Sequence, residues 1–296
     1  MQNSSSSNPI LIKGLIRTLL ALLLSIGGLS LSACTDKEPE VPKTKVVPIS
    51  DKGWAFDTVA VWADEFEGTG RPDAAKWGYD LGAGGWGNNE LEYYTDGANT
   101  DVSGGTLKII AKKEAFSGAS YTSTRMVTKG KGDFLYGRFE ARMKLPTGKG
   151  TWPAFWMLPT DFAYGDWPKS GEIDIMEHVG FDPNVVHIST HCAAYYFKIG
   201  NQKSSKLKVP TATSEFHKYR VDWTPYSVRG FIDDVQIFEF TNQNNGSASW
   251  PFDKRFHLIL NIAVGGDWGG AQGIDNTAFP STMEVDYVRV YKLIEK

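Results

Sequence analysis

Residues Glu172-Ile173-Asp174-Ile175-Met176-Glu177 place three carboxylic acids in a window of six. On an extended strand successive side chains alternate faces. Glu172 and Asp174 then share one face, and Ile173 and Ile175 share the other. Two isoleucines turned toward a core would leave the two acids facing solvent or a cleft. Glu177 stands five positions from Glu172, which in a regular strand is the wrong face. One extra residue, a β-bulge at Ile175-Met176, brings it back, and bulges are frequent beside active sites, where they re-aim a side chain. Three neighbouring carboxylates repel one another, so one is expected to hold a proton near neutral pH. Cleavage of a glycosidic bond uses that division: an ionised carboxylate attacks the sugar carbon and a protonated acid serves the leaving oxygen. The same spacing also suits a solvated strand face on which acids cluster by chance.

Just upstream lies Trp152-Pro153-Ala154-Phe155-Trp156-Met157-Leu158-Pro159. Trp152 and Trp156 are four apart and fall on one face if the stretch is extended. They can form a wall for a sugar ring, or one of them can belong to the core. His178, His187 and His191 raise a metal alternative. His187 and His191 are four apart on an expected strand, about 13 Å at 3.3 Å per residue. That is too far for two ligands of one zinc, whose bonds are about 2 Å.

The elements that must hold these residues read as strands. Period-two alternation recurs at Thr106–Lys112, Arg138–Lys144, Tyr219–Trp223, Arg229–Asp233 and Glu284–Tyr291. Such runs are half-buried antiparallel strands. Turn signals separate them at Ser103-Gly104-Gly105, Pro146-Thr147-Gly148 and Asp233-Asp234. After residue 54 no helical periodicity exceeds a turn or two. With 31 glycines, 10 Trp, 12 Tyr and 16 Phe the chain is turn-rich and aromatic-rich, which favours strands. Many short strands imply an all-β, two-sheet sandwich. Without an internal repeat, residues 54–296 are expected to form one domain of about 240 residues.

The chain has 296 residues and a formal net charge of −3, which argues against a nucleic-acid partner. Two cysteines exclude a disulfide framework. Lys13 and Arg17, the short apolar run Leu19 to Leu29 and then Leu31-Ser32-Ala33-Cys34 follow the order of an export signal. The apolar run is too short to span a bilayer. The Leu-Ser-Ala-Cys ending resembles the bacterial lipobox, which implies residues 1–33 as a lipoprotein signal peptide and lipid on Cys34. A plain signal peptide with an incidental cysteine is the alternative. Cleavage before Cys34 removes Lys13 and Arg17 and takes the net charge from −3 to −5. Cys192 is then the other cysteine, expected to be buried and inert. The proline-containing residues 34–53 read as a linker that holds the domain away from a membrane. The protein is thus expected to be exported and anchored, at the cell surface or in the periplasm, as a monomer.

Five segments in order resemble glycoside hydrolase family 16, in its laminarinase branch of endo-1,3-β-glucanases. They are Trp62-Ala63-Asp64-Glu65-Phe66, the run Gly85-Trp86-Gly87-Asn88-Asn89-Glu90-Leu91-Glu92-Tyr93-Tyr94-Thr95, the Trp152–Trp156 segment, Gly171–Glu177, and Leu260-Asn261-Ile262-Ala263-Val264-Gly265-Gly266-Asp267-Trp268. The resemblance spans nearly all of residues 54–296. It implies a β-jelly roll of two curved antiparallel sheets with an open cleft on the concave one. It implies retention through a covalent glycosyl-enzyme, with Glu172 as nucleophile, Glu177 as acid/base and Asp174 tuning both. Asn88 and Arg125 resemble residues that bind glucose hydroxyls; a surface arginine is the other reading of Arg125. Trp152, Trp156 and Trp268 resemble stacking walls, and His191 resembles a histidine across the cleft near the acid/base. No cofactor is implied for catalysis. A structural calcium is implied at Glu67, Gly105 and Asp286.

The expected function is therefore endo-cleavage of β-1,3-glucan. The alternatives are the same fold acting on agar, carrageenan, porphyran or mixed-linkage glucan, or a non-catalytic glucan-binding protein. A binding protein has no need of the three acids. The bulged motif disfavours unbulged mixed-linkage lichenases, and the acidic balance disfavours sulfated galactans.

Overall fold

Alternating apolar and polar residues become eighteen strands in the computed structural model, which describes residues 54–295. The signal peptide, Cys34 and the linker of residues 34–53 lie outside the described residues. In chain order the strands begin with β1 (Trp54–Asp64), β2 (Gly78–Asp80), β3 (Glu92–Tyr94), β4 (Thr100–Ser103), β5 (Thr106–Ala111) and β6 (Tyr121–Ser123). They continue with β7 (Arg125–Val127), β8 (Asp133–Phe134), β9 (Gly137–Lys144), β10 (Thr151–Pro159), β11 (Glu172–His178) and β12 (Val185–His191). The last six are β13 (Lys203–Lys208), β14 (His217–Trp223), β15 (Ser227–Ile232), β16 (Val235–Thr241), β17 (Phe256–Val264) and β18 (Ser281–Glu295). Helix among the described residues is limited to two 3-10 turns, Phe197–Ile199 and Asn276–Ala278.

Two antiparallel sheets of eight strands face each other, forming a jelly-roll sandwich. One runs β16-β15-β14-β9-β18-β5-β4, with β1 also on β18. The other runs β13-β12-β11-β10-β17-β7-β2, with β8 also on β17. A small third pair, β3 with β6, is parallel, a feature that the alternation does not announce. The expected turns fall where strands end. Asp233 and Asp234 join β15 to β16 with φ of 46° and 65°, the left-handed pair of a tight hairpin whose twist matches its strands.

The core lies between the two large sheets. Phe139, Ala141 and Met143 of β9 and Val221 and Trp223 of β14 meet Phe155, Met157, Ile173, Ile188, Leu258, Leu260 and Ile262 from the other sheet. All are fully buried. Period two leaves the alternate residues of β10, β11, β12 and β17 on the opposite face of that second sheet. That face is the floor of a cleft of about 870 Å³. Cys192 is buried, and burial pushes its thiol up, as expected for an inert cysteine.

Candidate active site

Register shows how three acids come to share one face. Glu172 pairs with His191 and Asp174 with Ser189, but Glu177 pairs with His187. Three residues of β11 thus span two of β12. Against β10 the same excess appears between Asp174, opposite Trp156, and Met176, opposite Phe155. The extra residue sits at Ile175-Met176, and both of those side chains are fully buried. The bulge leaves two consecutive apolar residues in the core and returns Glu177 to the cleft beside Glu172 and Asp174. Gly171 starts this strand at φ 90°, where a Cβ would come within 2.9 Å of Pro251. Only glycine takes that backbone without strain.

Each acid is held by named donors. Trp167 Nε1 donates to Glu172 Oε2 at 2.7 Å, and Trp152 Nε1 donates to Glu177 Oε1 at 3.1 Å. Ser189 Oγ donates to Asp174 Oδ2 at 2.6 Å and lies 3.4 Å from Glu177 Oε2. His191 Nε2 is 3.3 Å from Asp174 Oδ2 and 4.0 Å from Glu172 Oε1. Burial raises Glu172 well above the ordinary carboxylate range, and the charge of Asp174 and a bond to it add to this. The Trp167 N–H and Arg125 oppose the shift. Glu177 is pushed up to about 8, first by burial and then by the charge of Asp174. Burial alone would lower His191, but its bond to Asp174 and the charges of Asp174 and Glu177 leave it raised. Glu177 is therefore protonated at neutral pH.

The expected cleft residues come together around this centre. Trp152 and Trp156 both line the cleft, so neither belongs to the core. Trp268 meets Trp152 edge-on at 5.4 Å and His187 at 4.9 Å. Arg125 is nearly buried and not a surface residue: it pairs with Asp80 at 3.0 Å and lies over the rings of Trp86 and Trp156. Asn88 lines the same end of the cleft. His191 departs from expectation. It sits on β12 directly opposite Glu172, on the same sheet, and the histidine opposite Glu177 is His187. The pairing register decides this, because the bulge shifts Glu177 by one residue against β12.

Trp167 and Ser189 also line the cleft and do not figure in the sequence motifs, and Glu90, part of the Gly85–Thr95 segment, lines it too without an expected role. Ser189 could have been found from the alternation His187, Ser189, His191 on one strand face. Trp167 stands in a loop without periodicity, five residues before Glu172. Lys198, in the 3-10 turn Phe197–Ile199, and Lys206, on the edge strand β13, also line the cleft.

Calcium fares differently. Glu67 and Gly105 are exposed. Arg142 donates to Asp286 Oδ2 at 2.6 Å. Calcium takes six to eight oxygens, of which Gly105 offers only a backbone carbonyl. Among the described residues the one convergence of acids and histidine is Glu172, Asp174 and His191.

The model of the family described as Glycosyl hydrolases family 16 matches residues 86–289. The chain is 52% identical over 244 residues to a protein of Rhodothermus marinus named Beta-glucanase, covering 79% of this chain and 85% of that one. It is 40% identical over 257 residues to a Glucan endo-1,3-beta-glucosidase of Cryptopygus antarcticus, covering 80% and 91%. Among solved structures, the laminarinase from Rhodothermus marinus superposes with a TM-score of 0.80 at 51% identity, covering 82% of this chain and 99% of that chain.

Proposed function

The chain belongs to glycosyl hydrolases family 16, and from that premise we propose that it is an endo-acting hydrolase of β-1,3-glucan of the laminarin type. The observation that carries the reading is the bulge that sets Glu172 and Glu177 on one cleft face, each under an indole N–H. The names of the relatives at 52% and 40% identity support the substrate class.

The proposed reaction retains anomeric configuration. Glu172 attacks the anomeric carbon as the glycosidic C–O bond breaks, and Glu177 gives its proton to the leaving oxygen. The sugar is then an ester of Glu172. Glu177, now ionised, takes a proton from water, whose oxygen attacks the anomeric carbon and frees Glu172. Esterification removes one negative charge beside Glu177, which lets it ionise for the second step. The N–H of Trp167 favours the charged form of Glu172 before attack. Asp174, held by Ser189 and His191, keeps a charge next to Glu177 and so keeps it protonated. Pyranose faces stack on Trp152, Trp156 and Trp268, whose rings suit neutral sugars. Asn88 and Arg125 take hydroxyls. We propose no cofactor. We also propose that the enzyme acts as a monomer, exported and held to a bacterial membrane by lipid on Cys34; the order of charge, apolar run and small residues before Cys34 supports this.

Product analysis on laminarin, lichenan, agarose and carrageenan tests the substrate. Short β-1,3-linked oligosaccharides should accumulate from laminarin. Products from agarose or carrageenan with none from laminarin would overturn the reading.

A further inference from the structure

Away from the three acids, a second pair of carboxyl groups stands at the β7 end of the cleft. Glu90 lines the cleft and uses both of its oxygens as acceptors. Oε1 receives the Asn88 side-chain amide at 3.1 Å, and Oε2 receives the Tyr94 hydroxyl at 3.0 Å. Tyr94 in turn accepts from Asn261 Nδ2 at 3.0 Å, and Asn261 Oδ1 accepts from Trp156 Nε1 at 2.7 Å. Every donor in this chain points the same way, from the Trp156 indole through Asn261 and Tyr94 into Glu90.

Behind Glu90 lies Glu92, fully buried. Its Oε2 accepts from the backbone N–H of Val264 at 2.6 Å. Its Oε1 has no hydrogen-bond partner. Burial first, and then the neighbouring Glu90, hold the Glu92 carboxyl well above the usual range.

We propose that Glu90 is a substrate-positioning residue that orients Asn88 and Trp156. A carboxylate can only accept, so the NH2 of Asn88 must face Glu90 and its carbonyl oxygen is left for the cleft. The same polarity, passed through Tyr94 and Asn261, fixes the edge of the Trp156 ring on which a sugar would stack. This end of the cleft thus offers acceptors to hydroxyl hydrogens, the chemistry of an unsubstituted sugar. The inference rests on the glucanase reading and adds to it the polarity of one end of the cleft.

Steady-state kinetics on laminarin tests it with an isosteric variant. A neutral amide at Glu90 keeps one acceptor and puts an NH2 in place of the other, so Asn88 and Tyr94 can no longer both donate to it. Glu90→Gln should raise KM about tenfold or more with kcat within about threefold, because Glu172, Asp174 and Glu177 are outside the chain of donors. The pH profile should keep its shape. Wild-type KM in a folded Glu90→Gln protein would overturn the proposal. Failure of the unaltered enzyme on laminarin would instead refute the substrate reading.

Discussion

Glu177 carries the most exposed consequence at the scale of single residues. A free glutamic acid titrates near 4.3 and would be ionised at neutral pH. Burial and Asp174 push Glu177 up to about 8, so it is a proton donor across the neutral range. Raising pH through that value removes the donor, and rate must fall on the basic side. On the acid side the rate must fall as Glu172 gains its proton, and Glu172 is also raised. The profile of kcat/KM should be a bell with its acid limb above the ordinary carboxylate range and its basic limb near 8. In Glu177→Gln the basic limb should vanish. Turnover of laminarin should drop about 10²–10⁴-fold, the usual worth of general acid catalysis. Aryl glucosides, whose leaving group needs little protonation, should lose far less in the glycosylation step. Equal losses with an unchanged basic limb would assign the proton to another group. The three acids were legible in the sequence because alternation and the bulge act within six residues. Trp167 and Ser189 were not, because they reach the acids across a loop and across a strand pair, and no local spacing encodes either contact.

The bulge is the element on which the site turns. It converts a spacing of five into a shared face, at the cost of two consecutive core side chains, Ile175 and Met176. Deleting Met176 removes the extra residue and leaves Glu172, Asp174 and Glu177 two apart on one face of a regular strand. Glu177 should stay in the cleft and turnover should persist, with a lower Tm because a fully buried side chain is lost. Met176→Leu keeps the residue count and nearly the volume. It should cost under about 1.5 kcal/mol and leave turnover intact. A folded deletion variant as inactive as Glu177→Gln would show that strand parity does not place Glu177. The long strands were readable for the same reason as the motif: β5, β9, β14 and β18 alternate over five residues or more. The short ones were not. β2, β3 and β6 are three residues each, too short for a period, and the parallel pairing of β3 with β6 is set by neighbours distant in sequence.

For the whole molecule, composition excluded more than it located. A net charge of −3 says nothing of where charges sit, and it did not foretell Lys198 and Lys206 lining the cleft. The calcium implied at Glu67, Gly105 and Asp286 rests on family pattern alone, while Arg142 reaches Asp286 only in the folded sheet. The proposed anchor belongs to this scale too. Cys34→Ser should move the enzyme from the membrane fraction to the soluble one without changing kcat. Unchanged fractionation, with no lipid on the mature N-terminus by mass spectrometry, would refute lipidation.

The central claim is that Glu172 forms a covalent bond to sugar while Glu177 handles the proton. A 2-deoxy-2-fluoro laminaribiosyl fluoride slows both steps but hydrolysis of the ester more, so the intermediate accumulates. Peptide mass spectrometry of the inactivated enzyme should find one glycosyl group on the peptide holding Gly171 to His178, attached to Glu172, and Glu172→Gln should take none. Label on Glu177, label elsewhere, or inactivation without any covalent adduct would contradict the account.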